Sequence, residues 1–264
     1  MGRVPTTKLN QLERALPEGL LVDAAWLEAR GYSAQLRKKY VASGWLEKPA
    51  HTLYRRPRGT IGWEQVVISM QMLLGLPLVV GGRTALELRG LGHYLARETA
   101  EIHLYGPKPP PAWLKALPLE ARFVAHNSAR LFPVSGGAAP TIDEFTTLPW
   151  GRWDWKMALS TPERSVLELL DELPARESFH QVDKLFEGLS SLSPRRLQPL
   201  LEACRSVKVK RLFFFFADRH AHAWLKRLDK VTIDLGSGNR ELVKGGRLDP
   251  TYRITVPEDL DGVR

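Results

Sequence analysis

Turn-forming residues divide the first sixty positions into short pieces whose order leaves few folds open. Leu9, Leu12, Ala15 and Leu16 recur at helical spacing behind two capping candidates, Thr6 and Thr7, and Pro17 stops the run. Gly19 turns the chain into a short apolar strand, Leu20-Leu21-Val22. Asp23 stands where it would cap a second helix through Ala29, closed by Gly31. A tight turn then leads to Ser33, the expected cap of a third helix that Gly44 ends. At about 100° per residue, Leu36, Tyr40 and Val41 of that helix share the face expected to be buried. Gln35, Lys38, Lys39 and Ala42 point the other way, and Arg37 is expected to run its stem past Tyr40. Trp45 to Lys48, a turn at Pro49 to Thr52, and Leu53 to Arg56 read as a hairpin closed by Pro57, Arg58 and Gly59.

Helix, short strand, helix, tight turn, basic helix, hairpin is the order of a winged helix-turn-helix. The charge agrees with that reading. Residues 1 to 60 hold 4 Lys and 7 Arg against 5 Asp and Glu, a surplus of 6 out of the whole chain's +9. A basic head on a nearly balanced body favours a polyanionic partner, here double-stranded DNA. Amide and ammonium groups on an outward helix face can meet base edges in the major groove, and wing arginines can meet phosphates. Gln35 and Lys38 are therefore the candidates for base contacts, and Lys39, Arg55, Arg56 and Arg58 for phosphate. A winged helix that docks a protein is the alternative.

Beyond Gly59 the expectation is a mixed body. Trp63 to Leu74 is a mostly buried helix stopped by Gly75, and Leu78-Val79-Val80 is a strand turning at Gly81-Gly82. Thr84 is the expected cap of a helix from Ala85 to Leu91, and the Gly-Gly turn is a weak candidate for an anion cradle. Glu101 to Tyr105 and Arg122 to His126 alternate as strands around a stiff Pro107 to Pro111 connection. Helices fit Thr161 to Leu173, Ser178 to Leu189 and Pro194 to Ser206. Phe213 to Phe216 reads as buried helix rather than a base-stacking platform, because adjacent helical positions point in different directions. Strands are expected at Val231 to Leu235 and Tyr252 to Val256. The fold class is α+β: an N-terminal winged helix-turn-helix followed by a mixed α/β C-terminal domain.

Enzyme chemistry finds little support. His220 and His222 with Asp218 lack the helical pair of a zinc protease, and no Gly-x-Ser-x-Gly elbow occurs. The rival function is an Mg²⁺-dependent nuclease built on Asp154 and Lys156 with Asp143 or Glu144 upstream. No catalytic residue, metal or cofactor is expected. A hydrophobic fraction of 44% supports a packed core, and one cysteine, Cys204, excludes an internal disulfide. With no signal-like opening and no run near the ~20 apolar residues a spanning helix needs, the expected setting is cytoplasmic, away from membranes.

Several stretches together resemble the AbiEi antitoxins of type IV toxin-antitoxin systems. They are Gly19 to Asp23, Val41 to Glu47 leading to Leu53-Tyr54, Val80 to Leu86 with Leu88 and Gly90, Ser160 to Arg164 before Val166 to Leu170, and Gly245-Gly246 followed by Tyr252 to Pro257. The resemblance implies a repressor acting on inverted repeats in its own promoter. It also implies an antitoxin that counters a nucleotidyltransferase toxin without a stable complex. One departure stands out: family wings often turn on a glycine before the Leu/Val-Tyr pair, where this chain has Ala50-His51-Thr52. The implied division is a DNA-binding domain at 1–95, with its reading head at about 6–58 and then a buried connecting helix, and a C-terminal α/β antitoxin domain at 96–264.

Overall fold

The computed structural model describes residues 7–92, 101–133, 144–151 and 154–260. Its first elements form where side chains satisfy the open ends of the backbone. Thr7 accepts from the Asn10 amide to start α1 (Lys8–Ala15). After strand β1 (Leu21–Asp23), Asp23 accepts from the Trp26 amide to start α2 (Ala24–Glu28). Ser33 does the same through the Leu36 amide for α3 (Ala34–Ala42).

Strand β2 (Leu53–Arg55) pairs antiparallel with β1, Val22 opposite Tyr54, and on its other edge meets, among the described residues, only Glu47. The expected first wing strand is thus a single bridge, with backbone bonds of 2.8 and 3.0 Å between Glu47 and Arg55. Trp45 cannot extend it, because its amide closes the end of α3 on the Tyr40 carbonyl at 2.9 Å, and Pro49 has no amide to give. The turn before β2 is made without glycine: Thr52 holds a φ of 64°.

Helix α4 (Trp63–Ile68) continues into a π-helical turn, Ser69–Leu73. Ser69 ties it to the head, accepting from the Leu21 amide at 3.0 Å and donating to the Gln65 carbonyl. The main sheet uses β3 (Val79–Val80), β4 (Glu101–Gly106), β5 (Arg122–Asn127), β6 (Phe145–Trp150) and β7 (Trp155–Ser160) in the order β5-β4-β3-β7-β6. Between β3 and β4 follows α5 (Gly82–Leu88). β3 and β7 pair only at Val80 and Leu159, and the Gln71 amide fills the gap beside them. It accepts from the Ala158 amide and donates to the Ala158 and Leu78 carbonyls.

One apolar core joins the head to this sheet, running from Leu12, Leu27 and Leu53 through Val67 and Met70 to Val80, Leu104 and Met157. A second core fills the layer of α6 (Pro162–Asp171), α7 (Phe179–Glu187), α8 (Pro194–Ala203) and α9 (Val207–His220), together with the hairpin β8 (Arg247–Asp249) and β9 (Ile254–Val256). Phe213 to Phe216 are all buried within it. Residues 79–88 thus contribute the central strand and an adjoining helix to the sheet completed by residues 101–160.

Two local expectations are corrected, and two strands are added. Val231 is 95% exposed in a 3-10 turn, because Asp229 captures its amide, and of the expected strand Ile233 is buried and Leu235 packs in part against the core. Helix α5 is capped at Gly81, not Thr84, whose hydroxyl instead bridges the Glu101 carbonyl and the His103 amide on β4. Strands β6 and β8 form where no alternation announces them.

Candidate nucleic-acid interface

Helix α3 is held at both ends and along one side. Its C-terminus closes with Gly44 at a φ of 75°, the Trp45 amide on Tyr40 and the Gly44 amide on Val41, a Schellman arrangement. Its inner side rests on Leu36, Arg37 and Tyr40. Arg37 is the buried member: it donates to the Tyr32 carbonyl at 2.7 Å and lies over the Tyr54 ring of β2 at 5.8 Å. The wing and the helix are therefore joined through one guanidinium. This corrects the expected buried face, since the arginine stem and its π contact occupy the place assigned to Val41. Val41 is 36% exposed on the outer side.

Gln35, Lys38, Lys39 and Ala42 all face outward and exposed. Among the described residues neither lysine has an ion-pair partner. The wing arginines divide. Arg58 is 81% exposed, with Glu18 at 3.8 Å its nearest carboxylate. Arg55 is engaged on three sides, by Glu47 at 2.7 and 2.8 Å and by the Gly59 carbonyl at 2.7 Å. Arg56 reaches back to Glu18 at 2.9 Å and Glu13 at 3.6 Å. These two residues brace the wing against the bridge and α1. Lys48, next to the Glu47 bridge, is exposed and is not singled out by the sequence pattern; its place in a basic hairpin is the available signal.

The other sequence candidates are dispersed or already occupied. The Gly81-Gly82 turn does cradle an anion, but it is the chain's own Glu168, whose carboxylate accepts from the Gly82 amide at 2.9 Å. Ser160 and Arg164 complete that carboxylate's shell, and burial pushes its pKa up against the lowering effect of Arg164. A side chain at Gly81 would collide with the same carboxylate and with Tyr105. His220 pairs with Asp183 at 2.9 Å, His222 with the Phe186 carbonyl, and Asp218 with Tyr252. For the nuclease reading, Glu144 pairs with Arg164, Lys156 and Asp154 are exposed, and Asp143 lies outside the described residues. Among the described residues no His, Cys, Asp and Glu cluster suits a metal ion, and no helix is long and apolar enough to cross a membrane. Burial raises the Cys204 thiol to about 11, which keeps it protonated.

Comparison with known proteins agrees on a family. Residues 5–97 match a family model described as "Transcriptional regulator, AbiEi antitoxin N-terminal domain". Residues 99–257 match one described as "Transcriptional regulator, AbiEi antitoxin, Type IV TA system". These describe transcriptional regulators, not enzymes. No curated protein matches the chain. Among solved structures, the RV2827C protein from Mycobacterium tuberculosis is similar in fold, with a TM-score of 0.54 and 14% identity over 96% of this chain and 92% of that one.

Proposed function

Because the chain belongs to the AbiEi antitoxin family of transcriptional regulators of type IV toxin-antitoxin systems, we propose that it is a sequence-specific repressor that docks α3 in the major groove of duplex DNA. The observation that carries this reading is the outward face of α3. It offers an amide and two ammonium groups without ion-pair partners on a helix fixed at both ends and tied to the wing. In this reading Gln35 and Lys38 meet base edges, and Lys39 and Arg58 meet phosphates. Arg55 and Arg56, which sequence alone offers to phosphate, act by holding the wing in place. Residues 1–95 carry recognition and 96–264 the antitoxin role, with β3 and α5 seating the first on the second.

The family resemblance supports the finer proposals: action at inverted repeats in the chain's own promoter, and relief of a nucleotidyltransferase toxin without a stable complex. Footprinting on that promoter tests the first. Two protected half-sites are expected, and uniform protection would overturn it. Gln35→Ala and Lys38→Ala should each cut preference for the site over random duplex by ~1–3 kcal/mol. For the second, the chain produced beside its toxin should restore growth yet not co-purify with it. Loss of rescue, or stable co-purification, would reject that mechanism.

A further inference from the structure

The outer side of α3 carries a feature that neither charge nor amide chemistry uses. Ala34, Lys38 and Val41, at i, i+4 and i+7, form one strip along the helix, and all three are exposed. Val41 is a branched apolar side chain, 36% exposed, on an otherwise polar and small-residue face. Its neighbour Trp45, just past the Schellman closure of the helix, is 46% exposed. Val41 lies outside the inner side of the helix, which is completed by Leu36, Arg37 and Tyr40.

Building on the proposed DNA-binding function, we propose that Val41 is a specificity-determining residue that packs against the 5-methyl group of a thymine in the major groove. The occupant follows from charge as well as shape. Lys38 shares the strip and Lys39 the same outward face, both without ion-pair partners among the described residues, so the surface is matched to a polyanion. In the major groove the methyl of thymine is the apolar group that distinguishes T·A from the other pairs, and small apolar side chains read it by contact. Ala34 and Ala42 leave room for the close approach such a contact needs, and the cap on Ser33 fixes the depth of the helix. Lys38 then reads a base edge beside the thymine, so the strip specifies adjacent positions.

The test uses the full-length chain and a duplex that it selects from a random pool. Fluorescence anisotropy compares that duplex with a copy in which deoxyuridine replaces thymine, deleting only the methyl groups. Wild type should bind the uracil copy about four-fold more weakly for each methyl contact, the effect of exposing one buried methyl-sized group. Val41→Ala should prefer the thymine copy by less than wild type does, losing more affinity for the thymine copy than for the uracil copy. Any change in duplex shape caused by the replacement acts on both proteins and leaves the comparison intact. Equal binding of both copies by wild type, or an undiminished preference for thymine in Val41→Ala, would overturn the role of Val41 while leaving the repressor reading standing. Failure of the chain to enrich any duplex over the random pool would overturn both. Because Val41 lies at the surface, the variant should unfold at the wild-type urea concentration.

Discussion

The outer face of α3 and the body use cationic side chains in opposite ways. On α3, Lys38 and Lys39 project into water without ion-pair partners among the described residues. In the body, Arg83 is buried against Glu177, Arg164 against Glu168 and Glu144, and Arg211 donates to the carbonyls of Leu235, Gly238 and Arg253. Arginine suits the second role because its planar fork satisfies several acceptors at once, whereas lysine suits a mobile, hydrated contact. The contrast explains why a residue count misleads. A buried, fully bonded arginine adds to the charge total but offers nothing to a partner, so the field available for recognition is set by geometry.

The largest effect expected from this contrast is in the body. Glu168→Ala leaves the Gly82 amide and the Ser160 hydroxyl without their buried acceptor and takes one of two carboxylates from the buried Arg164, and should cost ~3–5 kcal/mol in urea unfolding. A decrease as small as that of an exposed substitution would erase the distinction between the two regions. Acid should act on the same layer. Burial and the facing His126 hold the His103 imidazole down at about 4, against opposing pulls from Glu172 and Glu101 and a further lowering by Arg83. His103 sits 3.0 Å from His126, which in turn meets Glu172 at 3.0 Å. The unfolded chain takes up a proton at His103 near pH 6.5 and the folded chain only near 4. Between those values the unfolded state binds more protons, so stability falls with acid, by about 3 kcal/mol once the lower value is passed. Glu172, held low by the His126 hydrogen bond despite its burial, loses its contribution in the same direction. His103→Phe should flatten the profile; an unchanged profile would show that this buried histidine is not the group responsible.

In the head the expected effects are smaller. Arg56→Ala removes a partly exposed brace and should cost ~1 kcal/mol or less, while leaving the salt dependence of DNA binding unchanged. A flatter salt dependence would return Arg56 to the phosphate-contacting set. Thr52→Gly relieves a left-handed backbone angle at the wing turn and should stabilise by less than ~1 kcal/mol, since glycine's freedom when unfolded offsets part of the relief. A destabilised variant would show that the Thr52 hydroxyl, which donates to the His51 carbonyl, outweighs the backbone strain.

What can be read from sequence is what short-range chemistry decides. Thr7, Asp23 and Ser33 each cap a helix through an amide three residues away, so local pattern suffices to find them. Gly31 and Gly44 end α2 and α3 for equally local reasons. What stays hidden depends on distant partners. The anion at Gly81-Gly82 comes from a side chain 86 residues further on, and Thr84 leaves its expected capping role for β4. The ion pairs of Arg55 with Glu47 and of Arg56 with Glu18 and Glu13 likewise rest on partners that no local pattern announces. Periodicity assigns Val41 inward because it treats arginine as polar, whereas Arg37 is buried with its guanidinium between the Tyr32 carbonyl and the Tyr54 ring. The outward positions of Gln35, Lys38 and Lys39 do follow from the wheel, since the same rotation that exposes Val41 leaves them facing solvent.

The claim that the outer face of α3 engages duplex DNA is tested most directly by the salt dependence of binding for wild type and Lys38→Ala/Lys39→Ala. The slope of log affinity against log salt should become shallower by ~0.9 for each phosphate that the variant no longer neutralises, with the urea midpoint unchanged and the preference for the selected duplex reduced. An identical slope and an identical preference in the two proteins would contradict the account.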